Sequence, residues 1–184
     1  PPQQKNQAGA DMSATAVLSI GANIGDADTC VRRLLGVINN FRDSAAEVRC
    51  SGVYVTPPWG GVEQEDFYNA TLRVTWPQHT TSAQWAEGLL RQCQQLEADA
   101  HRVREVRWGP RTLDVDIVDI EGYASDDPHL TVPHPRAHLR AFVLVPWLEI
   151  EPTATLGGHS ITELLEVLPP AELNAITRME GVTL

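Results

Sequence analysis

An α+β fold, a largely antiparallel sheet carrying packed helices, is what the amino-acid sequence predicts, and three observations predict it. Hydrophobic periodicity alternates between 2 and 3.6 in the order strand, helix, strand, strand, helix, strand. Gly, Pro and Asn clusters punctuate those segments. The chain has 184 residues, 42% of them hydrophobic, which suits one domain with its own core. The order is that of a ferredoxin-like two-layer sandwich with helices on one face, here with a C-terminal extension.

Ala14 to Ile20 is short, apolar and β-rich, and ends in the turn Gly21-Ala22-Asn23-Ile24-Gly25-Asp26. Asp26 is placed to cap a helix reaching about Phe41, with Val31, Leu34, Leu35 and Ile38 on one stripe. Glu47 to Thr56 reads as a second strand, stopped by Pro57-Pro58. Phe67 to Trp76 alternates as a third, with Tyr68, Ala70, Leu72, Val74 and Trp76 on its apolar face. Phe67, Asn69, Thr71, Arg73 and Thr75 occupy the other face. Ser82 to about Asp99 is the second long helix, with Trp85, Leu89, Cys93 and Leu96 at helical spacing. Leu113 to Ile117 is the next strand. After a polar loop, Glu121 to His129, come Thr131-Val132-Pro133-His134-Pro135-Arg136, whose prolines are expected to hold His134 extended, an apolar segment from Ala141 to Ile150 read as the last strand, and a short helix from Ile161 to Leu168.

The opening PPQQKNQAGAD is polar and reads as a leader or linker over residues 1–12, leaving a single domain over 13–184. A net charge of −10 argues against general nucleic-acid binding and against anionic membranes, both of which need a dominant positive surface. Cys30, Cys50 and Cys93 are scattered and lack metal spacing, the pattern of reduced thiols. With no apolar run near the ~20 residues of a membrane span, a cytoplasmic protein is expected.

Against that acidic background, RVREVRWGPRTLDVDI from Arg102 to Ile117 places four arginines ahead of two aspartates. On a strand, Asp114 and Asp116 turn to one face with Cα atoms about 7 Å apart. Carboxylates so spaced can bracket Mg²⁺, or a pair of ions roughly 3.5–4 Å apart as in in-line phosphoryl displacement. Arg102, Arg104, Arg107 and Arg111 offer fork-like donors for phosphate oxygens, and Trp108-Gly109-Pro110 marks a loop. The alternative is a solvated loop whose arginines merely salt-bridge to the pair.

Four separated segments carry a family resemblance: LSIGANIGD from Leu18, YVTPPWGGVEQEDFYN from Tyr54, RVREVRWGPRTLDVDI from Arg102 and VPHPRAHLRAFVLVP from Val132. Taken in order across Val17 to Pro152, they resemble 6-hydroxymethyl-7,8-dihydropterin pyrophosphokinases. The resemblance implies that Asp114 and Asp116 hold two Mg²⁺ ions on the phosphates of ATP, the co-substrate. The pterin's hydroxymethyl oxygen would attack the β-phosphorus in line while AMP departs, with no protein nucleophile. It further implies that Arg102, Arg111, His134 and Arg140 bind phosphate oxygens, with Arg102 and Arg111 grouped with the aspartates as catalytic. Arg104 and Trp108 would lie on a loop closing over ATP and excluding water. Gln94, Glu97 and Ile117 would contact the nucleotide, although a solvated helix face also accounts for Gln94. Partners would be the two small-molecule substrates, and the protein a monomer.

A pterin needs stacking surfaces and an in-plane amide partner. Phe67 and Asn69 share a strand face because they are two apart, and Phe142 could complete the stack. The resemblance adds Thr56, Pro57 and Trp59 as walls and Gly21 as a point of close backbone approach. Ordinary core packing accounts equally for Phe142, and a loop cover for Trp59. Phe67 stands where some members have tyrosine, Trp59 where some have leucine, Pro135 where others carry an aromatic residue and Ala22 where serine is often seen. Two rival readings stay open: a non-catalytic nucleotide-binding module, and another Mg-dependent phosphotransferase using the same acid pair.

Overall fold

The strand nearest the N-terminus organises the sheet. In this computed structural model, which describes residues 12–44, 46–58, 65–77, 79–100 and 112–184, β1 (Ser13–Ala22) lies between β4 (Phe67–Pro77) and β5 (Asp114–Ile120), antiparallel to both. The path continues from β4 to β3 (Tyr54–Thr56) and on to β10 (Thr177–Arg178), and β2 (Glu47–Cys50) also pairs with β4. With β2 and β3 counted as one interrupted strand, the order is that of the ferredoxin-like plan, edged by the C-terminal strand β10.

The expected second strand, Glu47 to Thr56, is broken for a visible reason. Cys50 pairs with Leu72 and Tyr54 with Asn69, so Ser51, Gly52 and Val53 face only Ala70 and Thr71. One residue too many is a bulge. Ser51 keeps the ladder satisfied across it, its N–H donating to the Thr71 carbonyl and its Oγ accepting from the Thr71 N–H, both at 3.0 Å.

Two helices cover one face. Helix α1 (Ala27–Asp43) starts where Asp26 accepts the Thr29 N–H at 2.7 Å, as the sequence predicts. Its buried stripe is Cys30, Leu34, Val37, Ile38 and Phe41, with Val31 only partly covered. Helix α2 (Ala83–Asp99) is capped by Ser82 and buries Ala86, Leu89, Cys93 and Glu97. These stripes close on Leu18, Ile20, Leu72 and Val74 of the sheet, and Trp76 lies edge-on to both Phe41 and Trp85.

The opposite face is covered too. Ala141–Ile150, read from sequence as the last strand, is helix α3, with Pro146 inside it. It packs on Val17 and Val118 together with α4 (Ile161–Glu166), and the Thr71 hydroxyl donates to the Val143 carbonyl at 3.2 Å. Helices therefore lie on both faces, the C-terminal extension supplying the second layer. The segment is apolar on almost every side, so it carries no helical period; length is what distinguishes such a buried helix from a strand. The polar loop after β5 also holds more order than expected, a hairpin of β6 (Ser125–Asp127) and β7 (Leu130–Val132). Among the described residues, no helix is long and apolar enough to cross a membrane.

Gly21 pairs with Asn69 on one side and Asp114 on the other. A Cβ on Gly21 would sit 2.6 Å from the Asn69 amide oxygen, so the side chain of Asn69 lies where only glycine leaves room. Gly21→Ala is expected to cost about 1–3 kcal/mol of stability through overpacking, read by chemical denaturation. Phe41→Ala, which empties the centre of the α1 stripe, is expected to cost more, about 3–5 kcal/mol, in the same experiment.

Candidate active site

Among the described residues, strand β5 ends the sheet and presents its carboxylates from there. Asp114 and Asp116 share a face, and Val115 and Ile117, turned to the other, join the core beneath α1 and α2. Ile117 is thus a core side chain, turned away from the acid pair. A register shift opposite Val17 and Leu18 brings Asp119, too, level with Val17.

A third acid completes the group. Glu97, from the last turn of α2, is only 7% exposed, and one oxygen each from Glu97, Asp114 and Asp116 lie within 4.8 Å of one another. Glu97 reaches them around the open edge of β5, where its Oε1 accepts the Val115 N–H at 3.1 Å. That charge-assisted bond fixes α2 against β5 and aims the carboxylate at the same time. Three hard oxygen ligands converging in this way suit Mg²⁺, which is held by carboxylates, substrate phosphates and water. The sequence reading placed Glu97 toward the nucleotide and missed its place among the acids. The signal was present: Glu97 continues the buried stripe of Leu89 and Cys93 at i+4 spacing, an unusual place for an acid. Gln94, exposed on α2, is not gathered into the group.

Positive charge approaches from α3. Arg140, at the N-terminus of that helix, places Nη1 3.8 Å from Asp116 Oδ2, and its guanidinium lies over the Phe142 ring at 5.6 Å. Burial draws the Arg140 pKa down while Asp116 draws it up. His134 is half-buried nearby; its N–H donates to the Val118 carbonyl at 2.8 Å, and its Nδ1 accepts the Arg136 N–H at 3.1 Å. Its backbone carbonyl accepts from Ala137, so the residue opens a turn rather than the extended run that its flanking prolines suggest. Burial first, then the nearby Arg140 and Arg136 charges, push its pKa down to about 4. The imidazole is neutral at neutral pH.

The expected pterin residues of the sheet, Asn69 and Phe67, lie two strands further in, on β4. Asn69 is 4% exposed and its Nδ2 donates to Thr56 Oγ1 at 2.9 Å. Thr56 pairs with Phe67, and an open cleft is lined by Thr56, Pro57, Ala141 and Phe142. Because Asn69, Gly21 and Asp114 share one transverse row of the sheet, the backbones that carry the amide and the acid pair stand about 10 Å apart, two strand spacings, with both side chains on one face. Phe142 reaches this face from the helix α3, not from a strand. Trp59, Arg102, Arg104, Trp108 and Arg111 lie outside the described residues.

Comparison with known proteins adds the family. The model of the family described as 7,8-dihydro-6-hydroxymethylpterin-pyrophosphokinase matches residues 17–152. Among curated relatives named 2-amino-4-hydroxy-6-hydroxymethyldihydropteridine pyrophosphokinase, that of Mycobacterium tuberculosis is 42% identical over 174 residues, covering 87% of each chain. That of Methylorubrum extorquens is 37% identical over 163 residues, covering 88% of this chain and 98% of its own. In fold alone, the chain is similar to the solved HPPK-DHPS of Plasmodium falciparum with pteroate: TM-score 0.56 at 12% identity, over 86% of this chain and 43% of that one. With more than half of its length matched by the family model, this chain belongs to the 7,8-dihydro-6-hydroxymethylpterin-pyrophosphokinase family.

Proposed function

We propose that the chain transfers diphosphate from ATP to the hydroxymethyl oxygen of 6-hydroxymethyl-7,8-dihydropterin and releases AMP, the step of folate biosynthesis that its relatives' names describe. The observation that carries this reading is the shared row: an acid cluster fit for Mg²⁺ and, on the same sheet face, a buried amide bonded to Thr56 of the cleft that Phe142 lines. A nucleotide-binding module has no use for the second half of that row.

In this reading Asp114 and Asp116, with Glu97 beside them, would hold Mg²⁺, two ions by family resemblance. A metal bound there would supply charge neutralisation on the polyphosphate and lower the pKa of the hydroxymethyl group. Asn69, its amide fixed by Thr56, reads the pterin edge while Phe67 and Phe142 stack on the ring. Arg140 stands between the halves, within reach of Asp116 and of Phe142, and contributes a fixed positive charge where phosphate charge must be held. Neutral His134 donates a hydrogen bond to phosphate without needing a second protonation. By the family resemblance, Arg102 and Arg111 would bind phosphate and Arg104 and Trp108 would help to exclude water; all four lie outside the described residues. All these groups come from one chain, so a cytoplasmic monomer acting on small molecules suffices.

The test is product identity. AMP, in step with pterin consumed, is expected only when hydroxymethyldihydropterin is supplied; ADP as the product would reject diphosphate transfer. Asp114→Ala and Asp116→Ala are each expected to lower kcat at least 100-fold with circular dichroism unchanged, and full turnover in both would remove the metal assignment.

A pH titration checks the histidine. In the free protein the His134 ring resonances are expected to titrate near 4 rather than 6.5. Because the folded value is the lower one, the neutral ring's contribution to stability is complete above about 6.5 and fades as pH falls through about 4. Adding an ATP analogue is expected to move the midpoint upward, since phosphate favours the charged ring.

A further inference from the structure

The cleft bounded by Thr56, Pro57 and Phe142 has another wall, formed by the C-terminal segment. Glu172 of helix α5 (Pro170–Asn174) and Ile176 just beyond it line the same opening. Both lie past residue 152, where the family match ends, and Ile176 packs against the cluster that α3 forms on Val17 and Val118. A segment so short has little intrinsic helical stability, so something must hold it against the cleft.

Glu149 ties the three elements together. It lies seven residues after Phe142 on α3, two helical turns along the same side. Its Oε1 accepts the Tyr54 hydroxyl at 2.8 Å and the Arg178 Nε at 2.7 Å, while its Oε2 accepts the Gly52 N–H at 2.7 Å. Tyr54 leads along β3 to Thr56 and Pro57; Arg178 closes β10, directly after the α5 segment. The Arg178 guanidinium lies flat against Gly52, where a Cβ would meet Cζ at 2.6 Å. Met179 N–H adds a bond to the Val53 carbonyl at 2.8 Å. Partial burial alone would raise the Glu149 pKa, but the hydrogen bonds from Arg178, Gly52 and Tyr54 keep it below the ordinary carboxylate value, so the carboxylate is charged when these bonds form.

We propose that Glu149 and Arg178 form a clasp that holds the C-terminal segment as a wall of the pterin pocket, making Arg178 a positioning residue and Ile176 a determinant of which pterins fit. This rests on the reading of Asn69, Phe67 and Phe142 as pterin-binding. The clasp acts on the pterin side only, because none of its groups touches the acid cluster: Arg178 and Glu149 bond to β3 and to each other, at the far side of the sheet order from β5. Its removal therefore loosens one substrate and leaves the other alone.

The experiment is steady-state kinetics, in both substrates, of Arg178→Met, Arg178→Lys and Ile176→Trp in the full chain. Arg178→Met is expected to raise the KM for hydroxymethyldihydropterin about 3- to 10-fold, with the KM for ATP and kcat changed less than 2-fold. Arg178→Lys, which keeps the ion pair, is expected to recover most of that loss. Ile176→Trp fills the cleft without touching the clasp and is expected to raise the pterin KM alone; it carries the test if Arg178→Met fails to fold. Unchanged pterin KM in the folded variants, or equal shifts for both substrates, overturns the clasp. Asn69→Ala, run alongside, separates the two claims. A raised pterin KM there with none in the clasp variants sinks only the clasp, whereas no change in Asn69→Ala sinks the pterin reading and the clasp with it.

Discussion

Everything at the site hangs on the register of β1. Two antiparallel ladders meet on that strand, and they bring Asn69 and Asp114 level with the same residue, Gly21. Because strand side chains alternate, a slip of one residue on either ladder would turn the amide or the acid pair to the opposite face. The buried positions of β1, apolar from Ala16 to Ile20 apart from Ser19, fix that register from within the core. Gly21 then contributes by its missing side chain, which leaves the space that the Asn69 amide occupies. Core packing and the placement of the amide relative to the acids are here one constraint.

The second constraint is electrostatic. Three carboxylates in close array repel one another, and each needs a reason to stay. For Glu97 the reason is the backbone: its bond to the Val115 N–H holds a nearly buried acid in place whether or not a metal is bound. Arg140 supplies positive charge to Asp116 from the other side. The acids are thereby set before substrate arrives, so less reorganisation is left for the reaction itself.

Much of this was legible in the sequence because it was local. The Asp26 and Ser82 caps, the two amphipathic helices, and the shared faces of Asp114 with Asp116 and of Phe67 with Asn69 follow from spacing alone. What escaped was set by tertiary context. The bulge at Ser51–Val53 arises from a mismatch with β4 that neither strand reveals by itself. Helix α3 has no polar face to show a period, since it is enclosed by the sheet and the C-terminal segment. Glu97 looked like one polar residue among several near a helix end, and its burial depends on how α2 meets β5. The family resemblance supplied roles for the arginine loop that spacing could not, and those residues lie outside the described part of the fold.

The position of β5 at the end of the sheet carries one more consequence. An edge strand exposes unpaired backbone groups and invites a strand from another molecule to add to it. Here that edge bears Asp114, Asp116 and Asp119 within one short strand, and the Val115 N–H on its open side is already taken by Glu97. These carboxylates act as gatekeepers against self-association: charge repels an incoming strand, and the occupied donor denies it a bond. Replacing Asp114 or Asp116 by an apolar residue would therefore do more than empty the acid cluster: it would open the sheet to a second chain.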